Sequence, residues 1–124
     1  MNAHQTPYCI LVAALGGEGG GVLADWLVQC ALESGLSVQA TSVPGVAQRT
    51  GATSYYVEML RTPLGAGEGA PVFALTPLPG CVDVVVASEL LEAARMVERG
   101  FVTGRTTLIA SIHRVYTTIE KMHM

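Results

Sequence analysis

Apolar residues run unbroken from Tyr8 to Leu15 (YCILVAAL), the pattern of a strand covered on both faces of its sheet. Gly16-Gly17-Glu18-Gly19-Gly20-Gly21 follows. Val22, Leu23, Trp26, Leu27, Cys30 and Ala31 then recur at helical spacing, and Gly35 stands where a helix C-terminal glycine belongs. From Leu36 to Val43 (LSVQATSV) apolar and polar residues alternate, with Leu36, Val38 and Ala40 on one face. Strand, helix and strand in that order make the unit of a parallel sheet.

Pro44-Gly45 places Pro and Gly in their type II turn positions. The next strand-like run, Ser54 to Leu60 (SYYVEML), begins too soon for a crossover helix, because parallel neighbours need about a dozen connecting residues. That run is therefore expected to be antiparallel or corner-turning, and the sheet mixed. Thr62 to Pro79 is a Gly- and Pro-rich loop with room for a short strand at Val72 to Leu75. Asp83 to Ala87 (DVVVA) reads as a second buried strand. A helix follows, with Ser88 as N-cap, Glu89 in the first turn and Leu90, Leu91, Ala94 and Val97 as its apolar stripe. Arg95 and Arg99 suit its last turn, Gly100 ends it, and Thr106 to Ser111 forms a further strand. The final IHRVYTTIEKMHM opens another element without a cap or a polar tail, so residues 1–124 read as one domain truncated at its C-terminus.

Composition narrows the function. A chain of 124 residues is one domain by size. Half of them are hydrophobic and only 14% charged, which implies an apolar face covered by another chain. No run approaches the roughly 20 apolar residues of a membrane span. The opening stretch lacks a basic n-region, so a cytoplasmic place is expected. A net charge of −3 offers nucleic acid no electrostatic footprint. Cys9, Cys30 and Cys81 form no CxxC, and His4, His113 and His123 are scattered, so neither a metal site nor an iron–sulfur cluster is expected within the chain. The cysteines read instead as small buried apolar residues.

The glycine loop sits where α/β folds hold phosphate, since backbone N–H groups at a helix N-terminus are unpaired and the dipole favours an anion. The dinucleotide fingerprint nevertheless fails. Its third glycine would fall on Val22, and the acidic residue expected after the second strand is replaced by Gln39-Ala40-Thr41. No lysine follows to make a phosphate-binding loop of the Walker type. Glu18 acts in two directions. A carboxylate near a helix N-terminus stabilises it by about 0.3–1 kcal/mol. Its repulsion of a phosphate ~5 Å away is about 3 kcal/mol at an effective dielectric of 20, and so outweighs that stabilisation. Phosphate binding thus requires Glu18 to turn away or to meet a cation. The loop could equally serve tight packing against the sheet, with Glu18 capping the helix.

Such a cation is available. Arg49 is the first basic residue of the chain, flanked by Gln48, Thr50, Gly51, Thr53 and Ser54. Loops that follow parallel strands emerge at one edge, so Glu18 and Arg49 are expected on a common rim.

Together, ALGGEGGGVLADWL and SVPGVAQRTGATSYYVEM resemble the gamma-type domain of the 2-oxoacid:ferredoxin oxidoreductases, and within that family the beta subunits of the indolepyruvate type. The likeness continues through Ser88-Glu89-Leu90-Leu91-Glu92-Ala93 and TLIASIHRVYTT. It implies a three-layer, Rossmann-like α/β domain with a mixed, mainly parallel sheet. It also implies a reaction in which a 2-oxoacid, coenzyme A and oxidised ferredoxin give acyl-CoA, carbon dioxide and reduced ferredoxin. In such enzymes thiamine diphosphate and [4Fe-4S] clusters belong to partner chains or domains. This domain would bring no cofactor and no catalytic residue, but would help shape the coenzyme A cleft within an oligomer. Carried over residue by residue, the binding positions are Gly16, Gly17, Gly19 and Gly20 with Gln48, Arg49 and Gly51, and Glu18 and Thr50 fall in the same two segments. Relatives often carry glutamine in place of Glu18 and glycine in place of Thr50. Two other readings are a non-catalytic assembly domain and a free nucleotide-binding domain; Val22 and the missing acidic residue weaken the second.

Overall fold

The computed structural model describes residues 5–15, 19–43 and 52–112. These form β1 (Tyr8–Leu15), α1 (Gly20–Glu33), β2 (Val38–Val43), β3 (Ala52–Met59), β4 (Val84–Ala87), α2 (Leu90–Glu98) and β5 (Thr107–Ala110). One five-stranded sheet has the order β2-β3-β1-β4-β5. β1, β4 and β5 are parallel neighbours, and β3 runs antiparallel to both β1 and β2. β2 therefore points the same way as β1 but is separated from it by β3. The sheet is mixed and mainly parallel, as the short link before β3 requires.

Alternation along the strands sends successive side chains to opposite faces. On one face Ile10, Val12 and Val57 pack with Ala24, Leu23 and Leu27 of α1. On the other, Cys9, Leu11, Ala13, Val43, Tyr56 and Val85 pack with Met96 and Phe101 beside α2. Helix, sheet and helix make the three layers. β1 is buried throughout its middle because it alone lies under both helices. α1 rests on β1, β2 and β3, whereas α2 rests on β1, β4 and β5.

Four local expectations change. The stretch Val72 to Leu75 is not a strand. Its backbone bonds to side chains instead: Gln39 Nε2 donates to the Ala74 carbonyl (3.2 Å), Thr41 Oγ1 to the Leu75 carbonyl (2.8 Å), and the Ala74 N–H to Glu58 Oε1 (3.0 Å). It is an irregular cover over β2 and β3 on the α2 face. In α2 the N-cap is Glu89, not Ser88, and this rotates the helix so that Glu92, Ala93 and Met96 are buried while Leu90, Ala94 and Val97 are exposed. In α1 the small residues Gly20, Ala24 and Ala31 meet the sheet, leaving Val22 and Trp26 exposed. Of the cysteines only Cys9 is buried; Cys30 and Cys81 are exposed. No helix among the described residues is long and apolar enough to cross a membrane.

Candidate functional site

The register brings the strand ends that flank the predicted binding segments to one edge of the sheet. Leu15, the last residue of β1, stands opposite Ala52, the first of β3, and Val43, the last of β2, stands opposite Ser54. Ala87, at the end of β4, pairs with Ala13. The chain therefore leaves β1, β2 and β4 and enters β3 on the same side, where α/β sheets hold ligands. Of the expected binding residues, Gly19 and Gly20 are brought to this edge. Gly16, Gly17, Glu18, Gln48, Arg49, Thr50 and Gly51 lie outside the described residues.

Gly19 and Gly20 are glycines for different reasons. Gly19 is the N-cap of α1 at φ 81°, in the left-handed region that disfavours a Cβ. A Cβ there would meet nothing within 4 Å, so the space beside it is open. At Gly20 a Cβ would stand 2.8 Å from Ala14 Cβ and 3.2 Å from the Tyr55 ring. Gly20 lets the helix start press against β1 and β3. Gly20 thus serves packing, while the space beside Gly19 stays open.

Below this edge a groove of about 430 Å³ runs between α1 and β4. Val12, Ala14, Val22, Leu23, Trp26 and Val86 supply its apolar walls, and Ser88 is its one polar side chain. Ser88 is engaged at the strand ends, its N–H donating to the Ala13 carbonyl (2.9 Å) and its Oγ accepting from the Leu15 N–H (3.4 Å). No basic side chain among the described residues lines the groove.

The same edge carries two fully buried carboxylates on the α2 side. Glu89 and Glu92 are both 0% exposed. The Glu89 carboxylate accepts the Glu92 N–H at 2.9 Å, closing the first turn of α2, and Arg95 Nε lies 3.9 Å from Glu92 Oε2. Buried carboxylates are costly unless hydrogen-bonded or paired, so this helix start is tightly specified. The spacing carried a signal for it. Glu89 and Glu92 fit the three-residue separation of a capping box, whereas Ser88 would need Leu91 to be acidic.

A second cavity, of about 390 Å³, opens at the opposite edge, where β1 and β4 begin. Glu58, Tyr56 and Cys9 face it together with Arg105 and Cys81. Its polar groups satisfy one another. Glu58 Oε2 accepts from the Tyr56 hydroxyl and lies 3.8 Å from Cys9 Sγ, and Glu58 Oε1 accepts from Ala74. Asp83 accepts from the Cys9 N–H (2.8 Å), Arg105 (2.7 Å) and Arg61 (3.4 Å). Burial raises the Cys9 thiol above its ordinary value; the Tyr56 hydrogen bond opposes this, while Glu58 and Asp83 add to it. Burial, followed by hydrogen bonding to Cys9 and Glu58, raises the Tyr56 phenol as well. A thiol held protonated is a poor nucleophile, so this edge is built for cohesion. Among the described residues no group of three or more His, Cys, Asp or Glu could hold a metal ion.

The fold is similar to that of 2-oxoglutarate:ferredoxin oxidoreductase from Magnetococcus marinus, solved with 2-oxoglutarate, coenzyme A and succinyl-CoA bound. The TM-score is 0.65 at 17% identity, over 89% of this chain and 17% of that one. At that identity the likeness concerns the fold, and this chain spans a small part of the other's length. No curated protein matches the sequence. Residues 9–120, nearly the whole chain, match the pyruvate ferredoxin/flavodoxin oxidoreductase family, and the chain belongs to that family of 2-oxoacid oxidoreductases.

Proposed function

We infer that this chain is the gamma-type part of a 2-oxoacid:ferredoxin oxidoreductase of the indolepyruvate type, working in the cytoplasm. The complete enzyme converts an arylpyruvate, coenzyme A and oxidised ferredoxin into acyl-CoA, carbon dioxide and reduced ferredoxin. The observation that carries the reading is the shared sheet edge, where β1 and β2 end and β3 begins, in a chain whose family is established. Thiamine diphosphate and the [4Fe-4S] clusters belong to partner polypeptides. Bound there, thiamine diphosphate would supply the decarboxylation chemistry.

This chain's own part is to bind and orient. Coenzyme A phosphates would lie on the rim above Gly19, where the helix start is open and lacks a side-chain cap. Arg49 would supply the cation that offsets Glu18, with Gln48, Thr50 and Gly51 as further binding positions of the same segment. Gly16 and Gly17 give the backbone close access. In the assembled enzyme, Arg49→Ala is expected to raise the KM for coenzyme A about tenfold with kcat little changed, as for loss of uniform binding. An unchanged KM would reassign Arg49 to structure.

The tight approach at Gly20 favours a second reading, in which the loop serves assembly and this domain touches no ligand. Titration calorimetry of the assembled enzyme with coenzyme A separates the two. On the second reading, Arg49→Ala leaves the affinity intact.

A further inference from the structure

The first two residues of α1 press on a single ring. A Cβ on Gly20 would stand 3.2 Å from Tyr55 Cε2 and 3.4 Å from Cδ2. One on Gly21 would stand 3.2 Å from the Tyr55 hydroxyl oxygen and 3.5 Å from Cζ, and the three atoms nearest to that position all belong to Tyr55. Among the described residues the Tyr55 hydroxyl has no hydrogen-bond partner, whereas that of Tyr56 donates to Glu58. What Tyr55 brings to this contact is therefore the size of its ring, held stiffly on two torsions.

The place of Tyr55 in the fold gives that ring its interest. It stands near the start of β3, opposite Val12 of β1 and Ser42 of β2, and packs against the cluster of Ile10, Val12, Ala24 and Val57 beneath α1. In the chain, β3 follows the 44–51 segment and α1 follows the glycine loop. One side chain thus joins the two elements that come directly after the two expected binding segments. Close-packed interiors transmit a displacement and do not absorb it, so the ring sets how near α1 begins to β3. A site drawn from both segments depends on that spacing, since a shift of about 1 Å can cost about a hundredfold.

We propose that Tyr55 is a positioning residue for coenzyme A, its ring the spacer that sets the start of α1 against β3. The proposal rests on the reading that both segments bind coenzyme A. It deepens that reading by naming the side chain, outside both segments, that fixes their separation.

The test uses the assembled complex and combines amide hydrogen exchange with titration calorimetry against coenzyme A. The Leu23 N–H donates to the Gly19 carbonyl at 2.9 Å, so its exchange reports opening of the first turn of α1. Tyr55→Leu is expected to speed that exchange and to weaken coenzyme A binding about tenfold, with KM raised in step and kcat little changed. Tyr55→Phe keeps the ring and is expected to match the unaltered complex in every readout. Unchanged exchange at Leu23 in Tyr55→Leu overturns the spacer, and unchanged coenzyme A affinity overturns its link to the ligand. An equal loss in Tyr55→Phe overturns the ring as the working part. Arg49→Ala is measured alongside. If it weakens binding while Tyr55→Leu does not, the proposal alone fails; if neither weakens binding, the functional reading fails with it.

Discussion

The two edges of the sheet are built on opposite principles. Where β1 and β4 begin, long polar side chains cross between elements. Asp83 draws in the Cys9 backbone, Arg61 and Arg105, and Glu58 ties Tyr56 to the backbone of Ala74. Where β1 and β4 end, Ala14, Gly19, Gly20 and Ser88 keep the side chains small, and closeness of backbone replaces reach of side chain. The first edge is closed by satisfied hydrogen bonds. The second keeps open space beside Gly19. Binding sites tend to form where the scaffold is rigid and the local chain is spare, and here the rigidity lies at the far end of the same strands.

The sharpest way to break the closed edge is Glu58→Ala. It strands the Tyr56 hydroxyl and the Ala74 N–H, both held by the carboxylate. Of the two only the Tyr56 hydroxyl is buried, and leaving a buried donor unmet costs about 1–3 kcal/mol, so a loss of that size is expected in urea unfolding. Hydrogen exchange at Ala74 should accelerate with it. Unchanged exchange there would mean that something other than Glu58 holds the 62–80 loop. The matching break at the open edge is Gly20→Ala. Its Cβ meets Ala14 Cβ, which cannot swing aside, and the expected cost is about 1–3 kcal/mol, typical of overpacking. A neutral outcome would show that α1 can lift from β1, and the tight-packing account of Gly20 would fail.

The closed edge also has a pH signature. The Cys9 thiol and Tyr56 phenol are both raised in the folded state, from 9.0 and 10.0 respectively. The unfolded chain therefore releases these protons first as pH rises. Their contribution to stability is full below pH 9, and it falls as pH climbs above 9 and then above 10. The urea midpoint should decline across that range, and Cys9→Ala should flatten the part that begins near pH 9. A slope indifferent to Cys9→Ala would assign the alkaline loss to other groups.

Much of this architecture was legible because it depends on pattern. The uninterrupted YCILVAAL run can be covered on both faces only in the middle of a sheet, and the link of residues 44–51 is too short for a parallel crossover, so β3 had to turn back. The ends of β1 and β2 and the start of β3 come to one edge for the same reason. What the pattern could not supply was phase and depth. Ser88 reads as the cap with Glu89 in the first turn, yet Glu89 itself caps α2 and both Glu89 and Glu92 are buried. Val22 and Trp26 belong to a helical apolar stripe wider than the part of the sheet beneath α1, so part of that stripe is left facing outward. The Val72 to Leu75 run has the composition of a strand, but Gln39, Thr41 and Glu58 took its backbone bonds with side chains. In that last case tertiary contacts overrode a local preference.

The smallest expected effect separates the two arginines that share Asp83. Arg105 approaches Asp83 Oδ1 at 2.7 Å and also donates to the Gly80 carbonyl at 3.0 Å, so it joins two loops. Arg61 stands 3.4 Å from Oδ2, is about half exposed, donates to the Thr6 carbonyl and lies over the Tyr8 ring at 5.0 Å. Solvent screens an exposed pair at that distance, and such pairs contribute about 0–1 kcal/mol. Arg61→Ala should therefore lower stability by less than about 1 kcal/mol, with the ring contact included. Raising the salt to 1 M should erase the ionic part, because the Debye length is then only about 3 Å. Arg105 is equally exposed, and Arg61 has a carbonyl bond of its own to Thr6, so the two differ in the shorter ion pair of Arg105 with Asp83. Arg105→Ala should cost more and lose the larger part of that cost in salt. If the two variants respond to salt alike, Asp83 acts as a diffuse charge, and the closed edge is held by the Glu58 network and the backbone bond to Cys9.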